Sequence, residues 1–150
     1  MKEIGIIEEC YHVMQSSPRK FVIEFQLEDY RLSIEKLEVN ERLSEETLCF
    51  SADLVLNGKV IGICSNRGHG GCADFYLDKY NEDFNELTYK VRNVPDYCFP
   101  RQTLNICSVI DALACFCATF KDNDVKTITM ARAVINMINK DAGKYREQFT

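Results

Sequence analysis

The sequence predicts an α+β fold, with an antiparallel sheet of about five strands over residues 20–77 packed against about three helices over residues 78–142. Three observations carry this. Up to Leu77, apolar and polar residues alternate; an Asn57-Gly58 pair sits between two such runs; and from Asp78 onward apolar residues recur at helical spacing. Strands grouped ahead of helices differ from the strand–helix alternation of a doubly wound parallel sheet. At 150 residues, one domain hiding roughly 68–70% of its extended-chain surface is expected.

From Ile4 to Met14 the apolar residues at 4, 7, 11 and 14 fit a short helix that Gly5 weakens at its start, so this segment is ambiguous. Lys20–Leu27 alternates cleanly through Phe21, Ile23, Phe25 and Leu27 and reads as a strand. After the polar break Glu28-Asp29-Tyr30 a second strand pairs back. Its Leu32 and Ile34 are in phase, but Leu37 and Val39 are not, which requires a bulge or helical turn near Lys36.

A polar loop, Asn40 to Glu46, leads to the hairpin Thr47–Leu56 and Lys59–Ser65. Asn57-Gly58 supplies the positive φ angles of its type I′ turn. Counted from a two-residue turn, Leu56 pairs with Lys59, Leu54 with Ile61, Ala52 with Ile63 and Phe50 with Ser65 on a core face. The other face then carries Val55 with Val60, Asp53 with Gly62, and Ser51 with Cys64, with Cys49 near Asn66. Cys72–Leu77 has the composition of a further short strand.

Tyr80, Phe84, Leu87 and Val91 then mark a helix within Asp78 to Asn93, stopped by Pro95. Thr103 to Phe120 is apolar nearly all round and is expected to be the central buried helix, with Cys107, Cys115 and Cys117 acting as small core hydrophobes. Tyr76, Tyr80, Tyr89, Tyr97 and Phe84 are expected to pack helix onto sheet. A last helix begins near Asp124 and stops at Gly143.

The formal charge of -5, without a Lys/Arg cluster, argues against double-stranded nucleic acid as a partner. No stretch reaches the ~18 apolar residues of a spanning helix, so no membrane partner is expected. Acids interrupt the first residues where an export signal needs an apolar run. The expected location is therefore the cytoplasm of a bacterium or an infected host, with the eight cysteines reduced.

The most suggestive feature is the loop Asn66-Arg67-Gly68-His69-Gly70-Gly71. Its glycines let successive backbone N–H groups face one concavity suited to an anion, Arg67 and His69 add charge-assisted donors, and Asp53 lies on the adjoining polar face. The simpler reading is a tight strand connection with Arg67 and His69 solvated. The lysine and hydroxyl of a P-loop are missing. Cys64, His69 and Cys72, with Cys49 diagonally across, also permit a zinc site or a thiol nucleophile. Their spacing matches no standard zinc motif, so no metal or other cofactor is assigned.

The words Phe50-x-Ala52-Asp53-Leu54, Asn57-Gly58-Lys59-x-x-Gly62 and Asn66-x-Gly68-x-Gly70-Gly71 resemble a pattern in small uncharacterised proteins of gut Bacteroidetes and their phages. That resemblance implies a phage or mobile-element setting, in which small proteins act by inhibiting a host defence enzyme or sequestering its nucleotide signal. It assigns no site residue. The expected function is a non-enzymatic binding protein whose partner is a phosphorylated or nucleotide-type ligand, or a host protein. The alternative is a thiol- or zinc-dependent enzyme centred on the glycine loop. Self-association through the hairpin's second face is a further expectation.

Overall fold

The computed structural model describes residues 11–17, 20–43, 47–94 and 103–119. Six strands run in sequence order as an antiparallel meander: β1 Tyr11–Ser17, β2 Lys20–Leu27, β3 Tyr30–Val39, β4 Phe50–Leu56, β5 Lys59–Asn66 and β6 Asp74–Leu77. Among the described residues two α-helices follow, α1 Glu82–Lys90 and α2 Ile106–Thr119. The α+β class stands, with one strand more than expected. The extra strand comes from the ambiguous first segment, where Tyr11 and Val13 pair in register with Phe25 and Ile23 of β2. A period of two therefore governs this segment from Tyr11 onward. The helix placed from Asp124 to Gly143, and Tyr97, lie outside the described residues.

Alternation along the strands sends Phe25, Leu32, Leu54 and Cys64 to one face, where they meet Phe84 and Leu87 of α1 and Val109, Ile110 and Leu113 of α2. Each such fully buried large side chain contributes roughly 1.5–3 kcal/mol. Aromatic edges lock the layers: Tyr11 sits 5.1 Å from Phe25 and 5.6 Å from Phe116, and Phe75 sits 5.0 Å from Phe84. The helix starts are capped. Asn81 Oδ1 accepts the Phe84 N–H at 2.9 Å. Asn105 Oδ1 accepts the Ser108 N–H at 2.9 Å, while Ser108 Oγ accepts the Asn105 N–H at 3.2 Å, a reciprocal pair that begins α2 later than Thr103.

Lys36, at φ 53°, marks the bulge that the phase break requires: Glu35 pairs with Asp53, but the next pair is Glu38 with Ser51. The Asn57-Gly58 turn has the expected positive φ angles, 51° and 80°. Asn57 also donates its N–H to the Arg31 carbonyl and accepts the Arg31 N–H on Oδ1, each at 2.8 Å, which ties the turn to β3.

Beyond that turn the register differs from a simple count. Leu56 pairs with Lys59 and Val55 with Val60, but Leu54 then pairs with Gly62, leaving Ile61 as a bulge residue. A Cβ on Gly62 would run into the Tyr76 carbonyl oxygen and lie 2.8 Å from the Leu77 Cα, so only glycine lets β6 close onto β5 here. The bulge inverts the phase. Cys64 turns to the core beside Ala52, while Ile63 pairs with Asp53 on the outer face and is 53% exposed.

Other expectations about side chains are also corrected. Cys115 is exposed and Cys107 and Cys117 are half-buried, because α2 packs on β2 and β3 with one side only. Tyr76, Tyr80 and Tyr89 are exposed and do not join helix to sheet. Tyr76 falls on the outer face of β6, and Tyr89 instead lies under the Arg92 guanidinium, 5.0 Å from its ring centre.

Candidate functional site

The glycine loop is organised by its first residue. Asn66 ends β5 on the core face and is only 6% exposed, so its amide must be satisfied internally. Oδ1 accepts the Gly68 N–H and the Thr47 hydroxyl, both at 2.9 Å. Nδ2 donates to Asp111 Oδ1 at 3.0 Å and to the Gly71 carbonyl at 3.3 Å. All four positions of the amide are thus used.

Thr47 Oγ1 in turn accepts the Gly70 N–H at 3.3 Å, and Asp111 Oδ2 accepts the Ala73 N–H at 2.9 Å. Burial raises the Asp111 pKa above its ordinary value, against the bonds from Asn66 and Ala73, which lower it. The N–H groups of Gly68 and Gly70, read from sequence as an anion nest, are spent inside this network. Arg67, His69 and Gly71 remain exposed at the loop tip.

Asp53 does not belong to this group. Since Ile63 and Asn66 stand on opposite faces of β5, Asp53, paired with Ile63, is on the far side of the sheet from Asn66. It pairs with Lys36, at 4.0 Å. The same phase inversion turns Cys64 to the core face. Among the described residues no three of His, Cys, Asp and Glu come together as a metal-holding group. Burial, followed by the charges of Asp111 and Asp53, pushes the Cys64 thiol up to about 12, which opposes thiolate chemistry there.

A second site is a product of the β3 bulge. Pairing of β2 with β3 stops at Glu24 and Ser33. Beyond it, β2 stays with β1 while β3 follows β4, and the two strands diverge. Between them opens a cleft of about 1130 Å³ with Ile23, Ile34 and Phe50 among its apolar walls and Cys117 and Ala118 of α2 at one side. Lys36 and Arg42 are its cations, set among Glu35, Glu38 and Glu41.

The two sites touch. A Cβ on Gly68 would meet the Leu43 carbonyl oxygen and lie 2.9 Å from the Cys49 Cβ, so the glycine loop presses against the β3–β4 connection, whose Arg42, Leu48 and Cys49 line the cleft. Gly68, at φ 84°, can make this approach because it has no side chain. Sequence reasoning missed Asp111, Thr47 and the cleft. Asp111 had a signal, being the one charged residue between Thr103 and Phe120. The cleft had a partial one in the broken phase at Lys36.

No known protein family, curated protein sequence or solved structure matches the chain. Among the described residues no helix is long and apolar enough to cross a membrane.

Proposed function

We propose that this chain is a non-enzymatic binding protein whose ligand occupies the cleft between β2 and β3, with the glycine loop bracing one wall. The observation that carries the proposal is the cleft itself. At about 1130 Å³ it lies just above the size range typical of small-molecule sites, and its lining is shared between apolar side chains and charged and polar ones. Lys36 and Arg42 offer charge-assisted donors to a phosphate, and Glu35, Glu38 and Glu41 offer acceptors to the hydroxyl and amino groups of a nucleotide. Arg67 and His69 at the exposed loop tip are a second place for phosphate contact. The resemblance at the hairpin adds a biological setting, sequestration of a host-defence nucleotide by a phage or mobile-element protein.

Thermal-shift measurements against cyclic and ADP-ribose-type nucleotides test this reading. A true ligand raises the melting temperature, and Ser51→Trp, which fills the cleft from an exposed β4 position, abolishes the rise. If no nucleotide shifts the transition, the sequestration reading fails.

One observation favours the second reading, a host protein as partner. Val60, Ile63 and Tyr76 form an exposed apolar patch on the outer face of β5 and β6, with Ile63 directly opposite Tyr76. Ile63→Lys would abolish such a complex and leave a nucleotide response intact.

A further inference from the structure

Cys72 closes the glycine loop and is exposed, and Cys107 stands half-buried in the first turn of α2. Their relative position follows from one hydrogen bond. Asp111 Oδ2 holds the N–H of Ala73, the residue joined to Cys72, at 2.9 Å. Cys107 precedes Asp111 by four residues, so it lies on the same face of α2, one turn nearer the helix start. Side chains at that spacing are separated by about 5–6 Å at Cβ. Cys72 is therefore tied close to the face of α2 that carries Cys107. The electrostatics agree: burial raises the Cys107 pKa first, and the charges of Cys72, Asp111 and Asp74 raise it further.

We propose that Cys72 and Cys107 form a redox-modifiable thiol pair that closes to a disulfide under peroxide, stapling the glycine loop to the first turn of α2. The Cys72 thiolate attacks one oxygen of hydrogen peroxide. The O–O bond breaks, leaving a sulfenic acid on Cys72 and a hydroxide that takes up the thiol proton as water. The Cys107 sulfur then attacks the Cys72 sulfur. An S–S bond forms, the S–O bond breaks, and the leaving hydroxide departs as water with the Cys107 proton. Two thiols are oxidised and one peroxide is reduced to two waters. Exposure makes Cys72 the thiol that meets the oxidant. Burial of Cys107 disfavours its thiolate, so closure speeds up as pH rises.

The staple would reinforce the Asn66–Asp111 and Ala73–Asp111 bonds with a covalent link. It needs no ligand in the cleft, so its test is independent of the binding proposal.

The full chain is reduced, treated with hydrogen peroxide and mapped by mass spectrometry without reductant. A peptide pair joined through Cys72 and Cys107, lighter by two hydrogens and released by dithiothreitol, is expected, together with a higher melting temperature. In Cys107→Ser the Cys72 sulfenic acid should accumulate and be trapped by dimedone. The proposal is overturned if wild-type Cys72 is trapped as sulfenic acid while Cys107 stays a free thiol. It is equally overturned if Cys72 links instead to another cysteine or to a second chain.

Discussion

Asn66 at the end of β5 donates to Asp111 in α2 across 3.0 Å, a bond that joins the glycine loop to the helical layer 45 residues away. Each partner serves further groups, since Asp111 also accepts the Ala73 N–H and Asn66 also holds Gly68, Gly71 and Thr47. Asp111→Ala strands two donors and Asn66→Ala strands several groups, and each buried unsatisfied group costs about 1–3 kcal/mol. Because the two losses overlap, the double variant should be less destabilised than the sum by about 0.5–3 kcal/mol, as read from urea unfolding. Strict additivity would mean that the two residues act separately.

Gly68 and Gly71 separate backbone conformation from close packing. Both have positive φ, 84° and 82°, but a Cβ on Gly71 meets nothing within 4 Å, while one on Gly68 meets Leu43 and Cys49. Gly71→Ala should cost only the left-handed penalty of about 1–2 kcal/mol. Gly68→Ala should exceed it by about 1–3 kcal/mol because the β3–β4 connection must move. Comparing urea midpoints at unchanged m-value checks this, and equal costs would show that the connection yields freely.

What could be read from sequence was local. The Asn57-Gly58 turn follows from two residues that accept positive φ, and the Lys36 bulge from Leu37 and Val39 falling out of phase with Leu32 and Ile34. The Ile61 bulge was not legible, because Ile61 and Ile63 alternate perfectly and only the approach of β6 over Gly62 requires the shift. That one residue sent Asp53 and Cys64 to opposite faces and dissolved the polar face inferred beside the loop. The Asn66 network was illegible for another reason: the partner that decides whether the loop's N–H groups are free for a ligand, Asp111, lies on a distant element. Loop composition alone could not distinguish an anion nest from a loop folded onto its own asparagine.

The cysteines give a direct test of the enzyme alternative. Cys64 is 1% exposed, and burial pushes its thiol up to about 12, so near neutral pH it stays a thiol. Iodoacetamide should label exposed Cys72 while Cys64 stays unmodified until the protein unfolds. A mass-spectrometric time course resolves the two. Rapid labelling of Cys64 in the folded protein would revive a thiol-dependent active site.

Glu24 sits where β2 and β3 part, opposite Ser33 on the outer face, and is 7% exposed. Among the described residues its Oε1 has no hydrogen-bond partner. Burial raises its pKa from 4.5, and the charges of Arg31 and His12 only partly oppose this. The folded state therefore holds this proton more tightly than the unfolded chain does. Its contribution to stability is complete below about pH 4.5 and is lost as pH rises through the folded pKa. Glu24→Gln keeps the shape and removes the charge. It should match the wild type in acid, exceed it in stability near neutral pH, and flatten the pH dependence of urea unfolding between those limits. Parallel pH curves for the two proteins would mean that Arg31 and His12 already stabilise the ionised carboxylate as well as water does.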